Sequence, residues 1–174
     1  MSTRKIALLA ILIALCVVGR QVFAFIPNVQ PVTAIIIICS FWMGPLSGVL
    51  LAVGSTLASN MLLGSGTWTL FQIIAWSFIG LSSGLLGKYV KKIPLIVFAL
   101  YAGVSGLIYG FVISIERVII GKLFWPYYLA GLPFDIMHAV GNVIFFIVLY
   151  PILSTIIVSQ ASAFIQREKK DPLY

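Results

Sequence analysis

The chain has 174 residues; 61% are hydrophobic and only 9% are charged, with eleven basic and four acidic side chains and a net charge of +7. A soluble domain carries about 25% charged residues, and a mean hydropathy of +1.16 leaves too little polar surface to face water on all sides. Disorder needs low hydrophobicity and high charge, so the same figures exclude it, and the chain reads as an integral membrane protein.

At about 20 residues per transmembrane helix plus a short connection, the length accommodates about six spans. A membrane β-barrel would alternate polar and apolar residues. Runs such as Ile6 to Val18 and Ile35-Ile36-Ile37-Ile38 do not. Segment 1 extends from about Lys5 to Phe25 and stops at Ile26-Pro27-Asn28. Arg4-Lys5 ahead of this run and Val22-Phe23-Ala24 within it resemble a signal peptide with a weak cleavage site. The run continues past Arg20, too long for a signal-peptide core, and is predicted to be a retained span. Segment 2 follows Pro31-Val32-Thr33 and ends at Trp42-Met43, where Gly44-Pro45 predicts a tight turn. Segment 3 covers about Leu46 to Leu63, segment 4 Trp68 to Leu86, segment 5 Pro94 to about Ile115, and segment 6 about Pro133 to Val158.

Six spans place both termini on one side. Arg4-Lys5, Lys88/Lys91/Lys92 and Arg167/Lys169/Lys170 then share a face, which the positive-inside rule assigns to the cytoplasm. The expected fold is an all-α integral membrane protein: one six-transmembrane-helix bundle over residues 1–174, with cytoplasmic N and C termini. The basic residues sit in small groups beside apolar segments and form no continuous patch, so nucleic acid is not an expected partner. Cys16 and Cys39 both fall inside apolar segments and read as small buried hydrophobes.

Gly80-xxx-Gly84, Gly106-xxx-Gly110, Ser55-xxx-Ser59 and Ala10-xxx-Ala14 have the spacing that lets membrane helices approach closely. Ala10-xxx-Ala14 interrupts an otherwise bulky run in the cytoplasmic half of helix 1, a smooth strip suited to docking another protein's helix. The outward face collects the polar and aromatic side chains. Trp68, Gln72 and Trp76 are spaced i, i+4, i+8 and share one helix face. They read as a wall for a planar ligand or as an interfacial aromatic belt, although Trp76 lies about 12 Å deeper than Trp68. Asp135, His138 and Asn142 share a face of segment 6, and ionisable residues within a membrane face a bundle interior or a cavity. Ligand hydrogen bonding is the role that fits this trio. A single His without a second ligand at metal spacing makes a poor metal site. The stretch 116–132, with Arg117, Trp125 and Tyr128, is long for a connection and reads as a functional loop such as a lid or as aromatic anchors at the membrane surface. Arg20 is expected to pair with Glu116 or Asp135 or to snorkel outward. Asn28 and Gln30 lie in a proline-flanked outer loop, and Tyr109 completes the candidate set. No phosphate loop and no Ser/His/Asp or H-E-x-x-H arrangement is visible, so the chain is not expected to be an enzyme.

Six short helices, a basic N-terminus, Ala10-xxx-Ala14 in helix 1 and Gly44-Pro45 between helices 2 and 3 resemble the S components of energy-coupling factor (ECF) transporters. The likeness covers essentially the whole chain. Asn28-Val29-Gln30-Pro31-Val32-Thr33, followed by Gly66-Thr67-Trp68-Thr69 and Gln72, looks like a subgroup associated with cobalamin uptake. Members linked to hydroxymethylpyrimidine, pyridoxine-type compounds or pantothenate look similar. The resemblance implies a multi-pass subunit of a prokaryotic plasma membrane that captures a vitamin at the outer face. It implies a transmembrane coupling subunit and two ATPase subunits as partners, with ATP used by those partners and no cofactor on this chain. By the same likeness Ala10 and Ala14 meet the coupling subunit, while the outer loops and helices 4–6 form the pocket. The readings that compete with it are an autonomous secondary carrier or channel and a membrane scaffold that binds no solute.

Overall fold

The computed structural model describes residues 1–90 and 92–170, with side chains described up to Ser159. Among them are six helices and no strand: α1 (Thr3–Val22), α2 (Val32–Met43), α3 (Pro45–Leu63), α4 (Trp68–Tyr89), α5 (Leu95–Ile119) and α6 (Phe124–Lys170). Lys91 and the side chains of Arg167, Glu168, Lys169, Lys170 and Asp171 lie outside the described residues, so part of the expected basic face is not located.

Five helices, all but α2, are long and apolar enough to cross a membrane. Six spans were expected, and the helix of the second, α2, ends at Met43 as read but is too short to count among the full-length spans. Its 12 residues rise about 18 Å, short of a hydrocarbon core about 30 Å thick. Val32 through Phe41 are all buried, and the polar Thr33 among them is bonded to Trp76 of α4 and His138 of α6, which holds α2 in the interior. Two contacts fix its direction. The Lys5 ammonium donates to the Met43 carbonyl at 2.9 Å, and Gly19 lies against the Pro31 ring. The end of α2 therefore meets the start of α1, and its beginning meets the last turn of α1. The chain still doubles back through the bundle between α1 and α3.

Gly44 ends α2 with φ at +90°, a conformation that disfavours side chains, and Pro45 opens α3 at a position where its missing N–H is no loss. The small residues predicted to pack do so. A Cβ added to Gly80 would stand 2.8 Å from the Gly48 carbonyl carbon, so α3 and α4 touch backbone to backbone. Gly106 meets Ala139 of α6 in the same manner, and Ser55 and Ser59 are buried. In lipid this close contact supplies the attraction that the hydrophobic effect provides in water. The perimeter carries exposed large hydrophobics such as Ile11, Val18, Leu70, Ile96, Leu100 and Ile144, an apolar surface suited to lipid tails.

The C-terminal hairpin also corrects the sequence reading. The stretch 116–132 is not a long loop: α5 continues to Ile119 and α6 starts at Phe124, leaving residues 120–123 as the connection. Pro133 lies inside α6 instead of opening it. Trp125 and Tyr128 are thus helical residues, and no lid is built from them. Packing accounts for the extension, since Phe124 and Tyr128 stack one turn apart at 5.6 Å and both meet Phe111 of α5.

Candidate functional site

The polar side chains that the apolar segments carry converge between the helices, toward the end of the bundle opposite Lys5 and Met43. Arg20, in the last turn of α1, is the only charged residue between Lys5 and Lys88. Its Nη1 donates to Ser59 Oγ at 2.6 Å and to Asn60 Oδ1 at 2.7 Å, both on α3. Its guanidinium lies 5.3 Å from the ring centre of Trp76 on α4. The expected pairing with Glu116 or Asp135 is not formed. Glu116 instead pairs with its neighbour Arg117 at 3.1 Å and accepts from the Thr67 hydroxyl.

From Arg20 the network runs across the bundle. Asn60 Nδ2 donates to Thr69 and, at 2.7 Å, to Gln72 Oε1; Gln72 Nε2 donates to the Tyr109 hydroxyl at 3.0 Å. Trp76 Nε1 donates to Thr33 Oγ1 at 2.9 Å, and Thr33 stands 3.1 Å from His138 Nε2. The other ring nitrogen, Nδ1, lies 2.6 Å from the carbonyl oxygen of Asn28. A carbonyl only accepts, so Nδ1 carries the proton. Nε2 of the neutral ring is then an acceptor, filled by the Thr33 hydroxyl, which has its own lone pair filled by Trp76. Every polar atom of that relay is satisfied in one proton arrangement. Asn28 serves through its backbone: with φ at +58°, tolerated by Asn better than by most residues, it turns its carbonyl toward the bundle.

The aromatic groups form a column. Ring centres of Trp76 and Tyr109 are 4.8 Å apart and those of Tyr109 and His138 are 5.0 Å apart, with Arg20 on Trp76. Trp76 is fully buried, which removes the interfacial-belt reading for that residue; Trp68, at 38% exposure, retains it.

Of the predicted set, Gln72, Trp76, Tyr109 and His138 come together, with the Asn28 carbonyl. Asp135 and Asn142 are buried on the same face of α6, Asp135 over Gly110 and Asn142 beside Gly106. Gln30 is buried in the 23–31 connection without a side-chain bond to the cluster. Trp125 is exposed and Tyr128 belongs to the Phe111–Phe124 aromatic group. Arg117 forms a separate outer link with Glu116 and lies 4.9 Å from the Tyr127 ring. Sequence reasoning left Thr33, Ser59 and Asn60 outside the candidate set and gave Arg20 other partners. The isolation of Arg20 was the available signal, together with the small polar string Ser55-Thr56-Ser59-Asn60 at helical spacing.

An open groove of about 400 Å³ lies at the Lys5–Met43 end, lined by Trp42, Ser154, Thr155, Val158 and Ser159. Among the described residues it is lined by no charged group, and it is remote from the network. Among the described residues no cluster of His, Cys, Asp and Glu is placed to hold a metal ion.

Comparison with known proteins gives one finding. Residues 4–165 match the family model described as the ECF transporter, substrate-specific component. No curated protein and no solved structure matches the chain.

Proposed function

The chain belongs to the substrate-specific components of ECF transporters, and on that premise we propose that it captures a vitamin or vitamin precursor at the outer face of a prokaryotic plasma membrane. As a member of that family it is a substrate-binding transporter subunit and not an enzyme. The candidate substrates are cobalamin, hydroxymethylpyrimidine, pyridoxine-type compounds and pantothenate. The observation that carries the reading is the buried cluster of Gln72, Trp76, Tyr109 and His138, with the half-buried Arg20 bonded to Ser59 and Asn60 and lying on Trp76. Placing a cation and this many polar groups among the helices of a bundle for lipid is expensive, and such groups mark substrate paths.

The single domain spans residues 1–174, with the Lys5–Met43 end and both termini in the cytoplasm. The chain passes through the bundle six times, α2 being an inner, shorter pass. Partners are a transmembrane coupling subunit and two ATPase subunits, which use ATP while this chain carries no cofactor. Ala10 and Ala14 form the docking strip; both are exposed, while Leu9, Leu12 and Cys16 face inward.

Reconstitution tests this reading. Liposomes holding the protein with the coupling and ATPase subunits accumulate the substrate when supplied with ATP, and liposomes holding the protein alone do not. Accumulation by the protein alone would establish the autonomous carrier in its place.

A further inference from the structure

Two buried acceptors on α6 have no donor. Asp135 is 6% exposed and Asn142 is fully buried, and Oδ2 of the first and Oδ1 of the second lack any hydrogen-bond partner. The Asn142 orientation is fixed by its neighbour: the amide NH₂ faces the Ala102 carbonyl at 3.3 Å, and a flipped amide would set oxygen against oxygen. Both residues lie on one helix face, seven positions and about 10.5 Å apart along α6. Glycine opens the space in front of each. The Asp135 carboxyl group fills the place a Gly110 side chain would take, and Gly106 lies against Ala139 and Asn142. Arg20 is held by Ser59, Asn60 and Trp76, and among the described residues Asp135 forms no ion pair.

The neighbouring side chains Thr33, Asn60, Gln72, Trp76, Tyr109 and His138 are all bonded, so the two unfilled acceptors stand out beside them. An orphaned polar group is costly in a protein interior. Substituting an apolar residue would remove that penalty, and destabilising groups of this kind are retained where function needs them.

Resting on the substrate-capture reading above, we propose that Asp135 and Asn142 receive hydrogen-bond donors of the substrate. The substrate is then a neutral or cationic planar ring compound that presents amino, ammonium or hydroxyl groups to α6. The column of Trp76, Tyr109 and His138 supplies aromatic faces for the ring. A carboxylate brought against Asp135 would meet like charge, which disfavours pantothenate in that orientation. A corrin macrocycle would have to part helices that touch backbone to backbone at Gly48–Gly80 and Gly106–Ala139, and a single ring is far smaller. Hydroxymethylpyrimidine and pyridoxine have the favoured chemistry.

The test is calorimetric titration of the full chain in detergent with hydroxymethylpyrimidine, pyridoxine, pantothenate and cobalamin, on wild type, Asp135→Asn, Asp135→Leu and Asn142→Leu. One of the two ring compounds is expected to bind wild type, with Kd weakened at least tenfold in Asp135→Leu and Asn142→Leu. The ligand-free melting temperature of both Asp135 variants is expected to hold or rise, because an orphaned group has been removed. A fall in that temperature alongside lost binding would identify Asp135 as structural and overturn the proposal, as would unchanged affinity in the variants. Binding of only pantothenate or only cobalamin would overturn the substrate class and leave capture intact. Binding of none of the four would overturn both.

Discussion

Thr33 is the joint of the network, and replacing it with valine isolates what the relay contributes. The two side chains have nearly the same shape, and Thr33 is fully buried. Thr33→Val therefore changes hydrogen bonding with little change in volume. It removes the acceptor of Trp76 Nε1–H at 2.9 Å and the donor to His138 Nε2 at 3.1 Å. Interhelical hydrogen bonds in membrane proteins average about 0.6 kcal/mol and reach about 1.7 kcal/mol. Two bonds therefore bracket the loss between about 1.2 and about 3.4 kcal/mol. Trp76 and His138 are 0% and 1% exposed, so water cannot replace the lost partner, and the upper half of the range applies. The valine methyl recovers part of the loss, leaving a net destabilisation of about 2 kcal/mol. Reversible unfolding in mixed micelles, followed by tryptophan fluorescence, measures it. A cycle with Trp76→Phe isolates the indole–hydroxyl bond, with an expected coupling of about 0.6–1.7 kcal/mol. Single and double variants that add to within about 0.3 kcal/mol would refute the relay as a source of stability.

Other outcomes follow from the same geometry. Ala10→Trp and Ala14→Trp are expected to abolish co-purification with the coupling subunit and leave ligand affinity unchanged, since both positions point away from the bundle; normal co-purification removes the docking assignment. Gly80→Val should destabilise the bundle by about 2–3 kcal/mol through overpacking against the Gly48 backbone. Gly131→Ala, where an added Cβ meets nothing, should be near neutral, and equal effects at the two sites contradict the close-contact reading. Gln72→Leu breaks the links to Asn60 and Tyr109 and is expected to weaken ligand binding at least tenfold, whereas Trp125→Ala, exposed and away from the cluster, should leave affinity unchanged.

Much of the architecture was legible because a membrane imposes one rule, internal satisfaction of every backbone group, which reduces the sequence to apolar runs and their punctuation. Gly44-Pro45 and the close glycine contacts followed directly. What escaped was set by tertiary packing. Pro31 and Gly44 bound the isoleucine run of α2 in the sequence, and only its neighbours on every side reveal that the helix is an inner one. Pro133 looked like a helix start, yet membrane helices accommodate proline where surrounding groups compensate. The aromatic pair Phe124 and Tyr128, one turn apart, was the overlooked sign that the helix had already begun. In the site, Gln72, Trp76 and His138 stood out as polar or indole groups in apolar surroundings. Asn28 was legible by position, but its contribution is a backbone carbonyl. Thr33 and Asn60 are ordinary polar residues in sequence, and their importance arises from which helices the fold brings beside them.

The central claim is that the buried cluster binds a vitamin-class small molecule for delivery to partner subunits. It is tested most directly by mass spectrometry of the small molecule released from freshly purified protein, run in parallel on wild type and Gln72→Leu. One vitamin or vitamin precursor is expected at close to one equivalent in wild type, greatly reduced in the variant. Protein that carries no such molecule and takes up none when vitamins are supplied at saturating concentration would contradict it.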